Sequence, residues 1–259
     1  MAIQISDLTA GYGSKLVLKN ISLKVGKGRI CSLLGRNGSG KTTLIRCVNA
    51  LMAPKKGHVL IEGRSVSDFN KRELARIISL VPQKSNSAFS YSVLDMVLMG
   101  ESARLGFFGS PDRKAYERAI SACKEIGIEE LVTRAYNELS GGEQQLVLLA
   151  RAIMQDTPIM LLDEPISHLD FCNQHKVMDI LRKTARKRNA TVLITLHDPN
   201  IALCYSDDVV MIGEGNVLAC GCANEVFSEN NLSKLYGNMV KIGYTVGGTK
   251  VVIPINGRC

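Results

Sequence analysis

Gly35-Arg-Asn-Gly-Ser-Gly-Lys-Thr42 fills every fixed position of the pattern G-x-x-x-x-G-K-[ST], directly after the apolar run Arg29-Ile-Cys-Ser-Leu-Leu34 and at the start of a helical stretch. In that context the pattern reads as a phosphate-binding loop. Gly35, Gly38 and Gly40 leave room for the chain to curl until successive backbone N–H groups point at one anion, with the positive end of the following helix behind them. Lys41 then reaches the β and γ oxygens of a nucleotide such as ATP, and Thr42 offers its hydroxyl to Mg²⁺. Asn37, Ser39 and Thr43 complete the phosphate-facing set. A glycine-rich turn with no ligand is the competing reading, which the spacing and both flanks oppose.

Phosphate chemistry of this kind needs a carboxylate for the metal. Ile159-Met-Leu-Leu-Asp163-Glu164 ends an apolar strand on two acids followed by Pro165. Open α/β sheets bind ligands at the C-terminal ends of their strands. Asp163 is therefore expected to hold Mg²⁺, directly or through water. Glu164 cannot share that direction one residue further on, and is expected to be the general base that poises a water for in-line attack on the γ-phosphate. A merely solvated Glu164 is the alternative.

Leu139-Ser-Gly-Gly-Glu143 stands between these two motifs. Those residues resemble the signature of the ATP-binding cassette (ABC) ATPases, and the resemblance covers nearly the whole chain. Tyr12 in Leu8-Thr-Ala-Gly-Tyr12 is similar to the family's adenine-stacking aromatic. Gln83 in Val81-Pro-Gln83 is similar to its Q-loop glutamine, which touches the Mg²⁺ and water region. Ser167-His-Leu-Asp170 resembles the D-loop, and His197 in Thr195-Leu-His-Asp198 the switch histidine. The resemblance implies an α/β P-loop NTPase fold of the ABC type, with a mixed sheet core, an antiparallel β subdomain and an inserted α-helical subdomain. It implies hydrolysis of ATP by Lys41, Gln83, Glu164 and His197, with nucleotide contacts from Tyr12, Ser140, Gly141, Gly142 and Asp170. Two positions depart from the family pattern: Ile166 stands where a Thr or Ser is usual, and Glu101 replaces the basic residue often found after the Met99-Gly100 pair.

Ser140, Gly141 and Gly142 precede the helical stretch Glu143 to Met154, so they form a second anion-binding helix N-terminus. One nucleotide does not need two such ends from one chain. The resemblance implies that the second end serves another copy: two subunits pack head to tail, each closing its signature over the other's Lys41 loop, so that ATP joins the pair and hydrolysis parts it. Such a motor needs a load. No apolar run approaches the roughly 18 to 20 residues of a membrane-spanning helix, so the load is expected to be separate membrane permease subunits, with an external substrate-binding protein in the same system. Tyr91 to Gly100, Leu105-Gly-Phe-Phe108, and Ser167 to Phe171 with Asn173-Gln174 resemble the ATPases of importers for iron chelates, cobalamin, haem and related metal compounds. A soluble cassette of iron–sulfur cluster assembly is the alternative.

The elements that would carry these residues show as short apolar strands alternating with helical stretches. Strands are expected at 29–34, 57–62, 77–81, 159–163, 191–195 and 208–212, and helices from Lys41, near 71–76 and over about 171–188. From about Ser92 to Met154 apolar residues recur at helical spacing, which places the helical subdomain there. Residues 1–237 read as the ATPase domain, and 238–259 as a C-terminal hairpin around Gly247-Gly248.

With 259 residues, 46% apolar and 22% charged, the chain is an ordinary globular one. Its start alternates like a strand and lacks the pattern of a secretory signal, and its eight scattered cysteines read as reduced thiols. Both point to the cytoplasmic face of the cell membrane, reached through the permease. Cys220-Gly-Cys222 and Cys172-x-x-His175 lack a second pair at zinc spacing. The net charge of +8 suits an acidic partner or an anionic surface. Its densest cluster, Arg182 to Arg188, reads as a solvated helix face, and no nucleic-acid partner is expected.

Overall fold

The computed structural model describes residues 1–83, 90–105 and 109–255. They fall into two compact units, one of Met1–Asp68 with Thr191–Cys259, the other of Phe69–Ala190.

The first unit opens with strand β1 (Ile3–Tyr12), whose Ile3, Ile5, Leu8 and Ala10 are buried in alternation. It pairs antiparallel with β2 (Lys15–Val25). Then come β3 (Ile30–Leu34), helix α1 (Lys41–Val48), β4 (Lys56–Ile61) and the two-residue β5 (Arg64–Ser65). The order β2-β1-β4-β5 makes an antiparallel sheet. Strand β3 is buried at all its residues, as a near-continuous apolar strand covered on both faces should be.

The second unit begins with α2 (Lys71–Ile77), whose start carries a reciprocal Asn70–Glu73 cap, a pairing that satisfies two orphan amides at once. Next is β6 (Ile78–Val81); the strand starts one residue later than the apolar run suggests because Ile77 closes the helix. Helices α3 (Val93–Leu98), α4 (Arg113–Ile126) and α5 (Gly141–Gln155) follow. On α4 the buried residues are Ala115, Ala119, Ala122, Cys123 and Ile126, one apolar stripe at helical period. Strand β7 (Ile159–Asp163) lies parallel to β6, and α6 (Phe171–Arg188) ends the unit.

The chain then returns to the first unit with β8 (Thr191–Leu196), α7 (Pro199–Tyr205), β9 (Asp208–Gly213), β10 (Asn216–Cys222), α8 (Ala223–Val226) and α9 (Glu229–Tyr236). Strand β3 pairs parallel with both β8 and β9, while β10 runs antiparallel to β9. The last strands, β11 (Val240–Tyr244) and β12 (Lys250–Pro254), form an antiparallel hairpin. Among the described residues no helix is long and apolar enough to cross a membrane.

The cysteines divide by burial. Cys31, Cys47 and Cys123 are buried, and burial pushes the Cys47 and Cys123 thiols up to about 11, which keeps them protonated and inert. Cys220 and Cys222 lie on β10 opposite Val210 and Asp208, both exposed.

Candidate functional site

Strand β3 delivers the chain to Gly35 from a fully buried run. Ser39 N–H donates to Arg36 O at 3.2 Å, turning the loop. Gly38 at φ 78° and Gly40 at φ 107° sit in the left-handed region, which costs glycine little. A Cβ on Gly40 would also lie 2.5 Å from Leu18 Cδ2, so β2 roofs the turn closely. Helix α1 starts at Lys41 with neither a side-chain cap nor an acidic residue in its first turn. The positive end of such a helix favours an anion, and no carboxylate of its own first turn competes for it.

Lys41 itself is only 5% exposed, and its Nζ donates to Gly35 O at 2.8 Å and Arg36 O at 3.3 Å. The ammonium rests on the carbonyls of its own loop. Beside it, Ser39 Oγ is buried with no hydrogen-bond partner among the described residues, a cost that a phosphate oxygen would relieve. Thr43 is buried in the first turn of α1, and Thr42 is part-exposed there. Tyr12 closes β1 as an exposed residue, and its hydroxyl accepts from Arg46 Nη1 of α1 at 2.8 Å. This tether joins the aromatic to the same helix that carries Lys41.

In the second unit β7 is buried throughout and ends on Asp163, 4% exposed. Glu164 follows at φ 52°, left-handed and not glycine, a strained conformation of the kind kept at functional positions. Ser167 N–H and Oγ both donate to Glu164 O, at 3.3 and 3.1 Å, holding that turn. The kink separates the two acids, and Glu164 Oε2 accepts from Gln83 Nε2 at 2.6 Å. Gln83 lies two residues beyond β6, so the parallel β6–β7 pair brings the glutamine to the carboxylate.

Ser140 caps α5: its Oγ accepts from Glu143 N–H at 3.3 Å and donates to Glu143 Oε2 at 2.7 Å, and its own N–H donates to that carboxylate at 2.8 Å. These donors hold the Glu143 carboxyl below its usual range. A cleft of about 460 Å³ opens at this end of the helix, with Ser140, Gly141, Gly142 and Glu143 on one side and His168 and Asp170 on the other. A Cβ at Gly142 would stand 3.1 Å from Leu169 Cδ2, so the two loops meet closely. Asp170 caps α6, accepting from Asn173 N–H at 2.9 Å and Asn173 Nδ2 at 2.7 Å, and these donors lower its pKa. Ile166 is buried, and Gln174 Nε2 holds the loop through Ile166 O and Leu169 O. A hydroxyl at 166 is not needed for that. His197 directly follows β8 and is exposed, and Asp198 after it caps α7 by accepting from Asn200 N–H at 2.7 Å.

Residues 18–167 match the family described as ABC transporter. The chain belongs to the ABC transporter family. This cassette is 37% identical over 237 residues, 91% of its length and 93% of the relative's, to a Helicobacter pylori protein described as an iron chelatin transport ATP-binding protein. A chain in the inward-facing structure of a metal-chelate type ABC transporter superposes with a TM-score of 0.84 at 29% identity, covering 98% of this chain and 97% of that one. A bacterial ABC transporter cassette solved as a dimer gives 0.77 at 28% identity, covering 85% and 98%. The α/β fold with its mixed and antiparallel sheets and its helical insertion is the ABC ATPase fold. The cassette binds ATP and is an ATPase coupled to transport.

Within the cassette Glu101 faces inward. It is 7% exposed, and its Oε2 forms an ion pair with Arg118 Nη2 of α4 at 2.8 Å, with Arg104 Nη1 at 3.8 Å. Its substitution for a basic residue thus serves an ion pair inside the second unit. Leu105 is half-buried, whereas Phe107 and Phe108 lie outside the described residues, as does the segment after Gln83. Two site features escape a reading of the sequence. The Arg46–Tyr12 bond joins residues far apart in sequence, and Arg46 belongs to no motif. The Glu164–Gln83 bond depends on strand pairing, although both residues are named by their motifs.

Proposed function

We propose that this cassette is the motor of an importer for a metal compound of the iron-chelate, haem or cobalamin class, working at the cytoplasmic face of the membrane on separate permease subunits. The iron chelatin and metal-chelate relatives support that cargo. An external substrate-binding protein would deliver it.

The hydrolytic mechanism rests on the Gln83–Glu164 hydrogen bond. ATP enters with its adenine on the Tyr12 ring and its phosphates against the amides of Gly38, Ser39, Gly40 and the first turn of α1. Lys41 exchanges the carbonyls of Gly35 and Arg36 for β- and γ-phosphate oxygens, and Ser39 Oγ gains a partner. Thr42, Gln83 and Asp163 offer a hydroxyl, a carboxamide oxygen and a carboxylate, an all-oxygen set that suits a hard divalent cation. The Gln83 carboxamide spends its N–H on Glu164, leaving its carbonyl oxygen for the metal. Mg²⁺, when bound by these donors, neutralises phosphate charge. Glu164, oriented by Gln83, takes a proton from the attacking water as the bond between the γ-phosphorus and the bridging oxygen breaks, and His197 hydrogen-bonds the γ-phosphoryl oxygens. Ser140, Gly141 and Gly142, in the cleft shared with Asp170, receive the γ-phosphate held by a second copy.

The test is uptake into vesicles carrying the cassette with its genomically adjacent permease. ATP-dependent accumulation of a ferric siderophore, haem or cobalamin is expected, abolished by Glu164→Gln. Recovery of the cassette only in the soluble fraction, on iron–sulfur scaffold proteins, would overturn the transport assignment.

A further inference from the structure

The C-terminal hairpin is fastened at one point in a way its sequence does not announce. In an antiparallel ladder a residue either exchanges both main-chain bonds with its opposite number or turns both outward. Val252, opposite Ile242, turns both outward, and both meet one side chain: Val252 N–H donates to Asn200 Oδ1 at 2.8 Å, and Asn200 Nδ2 donates to Val252 O at 3.1 Å. A carboxamide is the side chain that carries a donor and an acceptor side by side, and here it stands in for the next strand. Val252 is 6% exposed, whereas Tyr244 and Val246 of the same hairpin are open to solvent. A second fastening comes from Lys250 Nζ, which donates to Asn224 O at 2.8 Å and Phe227 O at 3.0 Å, around the end of α8.

What Asn200 holds at its other end gives the contact its meaning. Asn200 is the second residue of α7, and its main-chain N–H is the shorter of the two that Asp198 Oδ1 accepts, at 2.7 Å against 3.4 Å for Ile201. Asp198 directly follows His197. An unbroken path therefore runs from the Val252 backbone through the Asn200 side chain and main chain to the Asp198 carboxylate and so to His197. Tyr236, closing α9 just before the hairpin, also feels Asp198: burial, and then that charge, push its hydroxyl up to about 12.

We propose that Asn200 is a positioning residue, and that the hairpin, gripped through it, fixes the first turn of α7 and thereby the direction in which His197 is presented. This rests on reading His197 as a contact of the γ-phosphoryl group. The hairpin then belongs to the hydrolytic apparatus even though it carries none of its motifs.

A double-mutant cycle on the full-length protein tests this, with ATP affinity, kcat, thermal stability and amide exchange at Val252 all measured. Asn200→Ala is expected to speed exchange at Val252, leave ATP affinity within about twofold and lower kcat by about tenfold, since small misplacements of a reacting group are costly. In a His197→Ala background the same change should lower kcat no further, because coupled residues are non-additive. Lys250→Met, which loosens the hairpin at its other fastening, should lower kcat in the same direction by less, and serves if Asn200→Ala does not fold. An Asn200→Ala effect of equal size with and without His197, or an unchanged kcat with a loosened Val252, would overturn the proposal. Failure of the underlying reading looks different: His197→Ala alone would then hydrolyse ATP as fast as the unaltered protein.

Discussion

Gln83 Nε2 and Glu164 Oε2 stand 2.6 Å apart, so the glutamine two residues beyond β6 grips the carboxylate that follows β7. Two variants separate orientation from chemistry. Glu164→Gln should bind MgATP with near-normal affinity while turnover falls by roughly 10² to 10⁴, the range of a lost general base. Gln83→Ala should leave the base present but unaimed, giving a smaller loss. Equal loss of binding and turnover in Glu164→Gln, read by calorimetry beside a phosphate-release assay, would make Glu164 a structural residue.

Tyr12 and Arg46 make a graded series. Tyr12→Ala should weaken ATP by roughly 1 to 3 kcal/mol, the value of a base–aromatic stack. Tyr12→Phe keeps the ring and loses only the Arg46 bond, and Arg46→Ala loses the same bond from the other side; each should cost about 1 kcal/mol or less. Titration with a fluorescent ATP analogue ranks the three, and a Phe variant as damaged as the Ala variant would reject stacking.

Ser140 is already engaged in capping α5, and the cleft beside it is open. In a Glu164→Gln background the cassette should be a monomer without nucleotide or with ADP and a dimer with ATP. Adding Ser140→Arg fills the cleft and should abolish that dimer, while ATP binding to the single subunit survives. Light scattering under the three nucleotide conditions reads the result, and a dimer that ignores nucleotide would remove the cross-subunit clamp.

Glu143 gives that same helix a pH dependence. Its folded pKa is lowered by the Ser140 hydroxyl, then by the Ser140 N–H, so its stabilisation is present above the unfolded value near 4.3 and is lost as pH falls through the lower folded one. Glu143→Gln retains a capping partner without the charge. The variant should melt with a flatter dependence than the parent below about pH 4.3, as calorimetry across that window would record.

How far the residues alone led depends on the kind of interaction. Helix α6 was readable because Asp170 caps it and its apolar positions recur at helical period, and β3 because a strand covered on both faces is apolar throughout. Strands β2 and β10 were less so. In β2 the alternation of Ile21, Leu23 and Val25 with Ser22 and Lys24 is itself a strand signal, but its first half, Lys15 to Asn20, breaks that pattern; in β10 the run Cys220-Gly-Cys222 has weak strand preference, and tertiary pairing decides it. The site divides the same way. Lys41, Asp163, Glu164 and Ser140 follow from local motifs, whereas Arg46 on Tyr12 and Asn200 on Val252 are partners supplied by folding, with no spacing rule to reveal them.

The resting place of the Lys41 ammonium, on the carbonyls of Gly35 and Arg36, makes nucleotide loading an exchange of partners in a loop already shaped. The ordering of that loop is a cost of folding, met once, and is not charged again at each encounter with ATP.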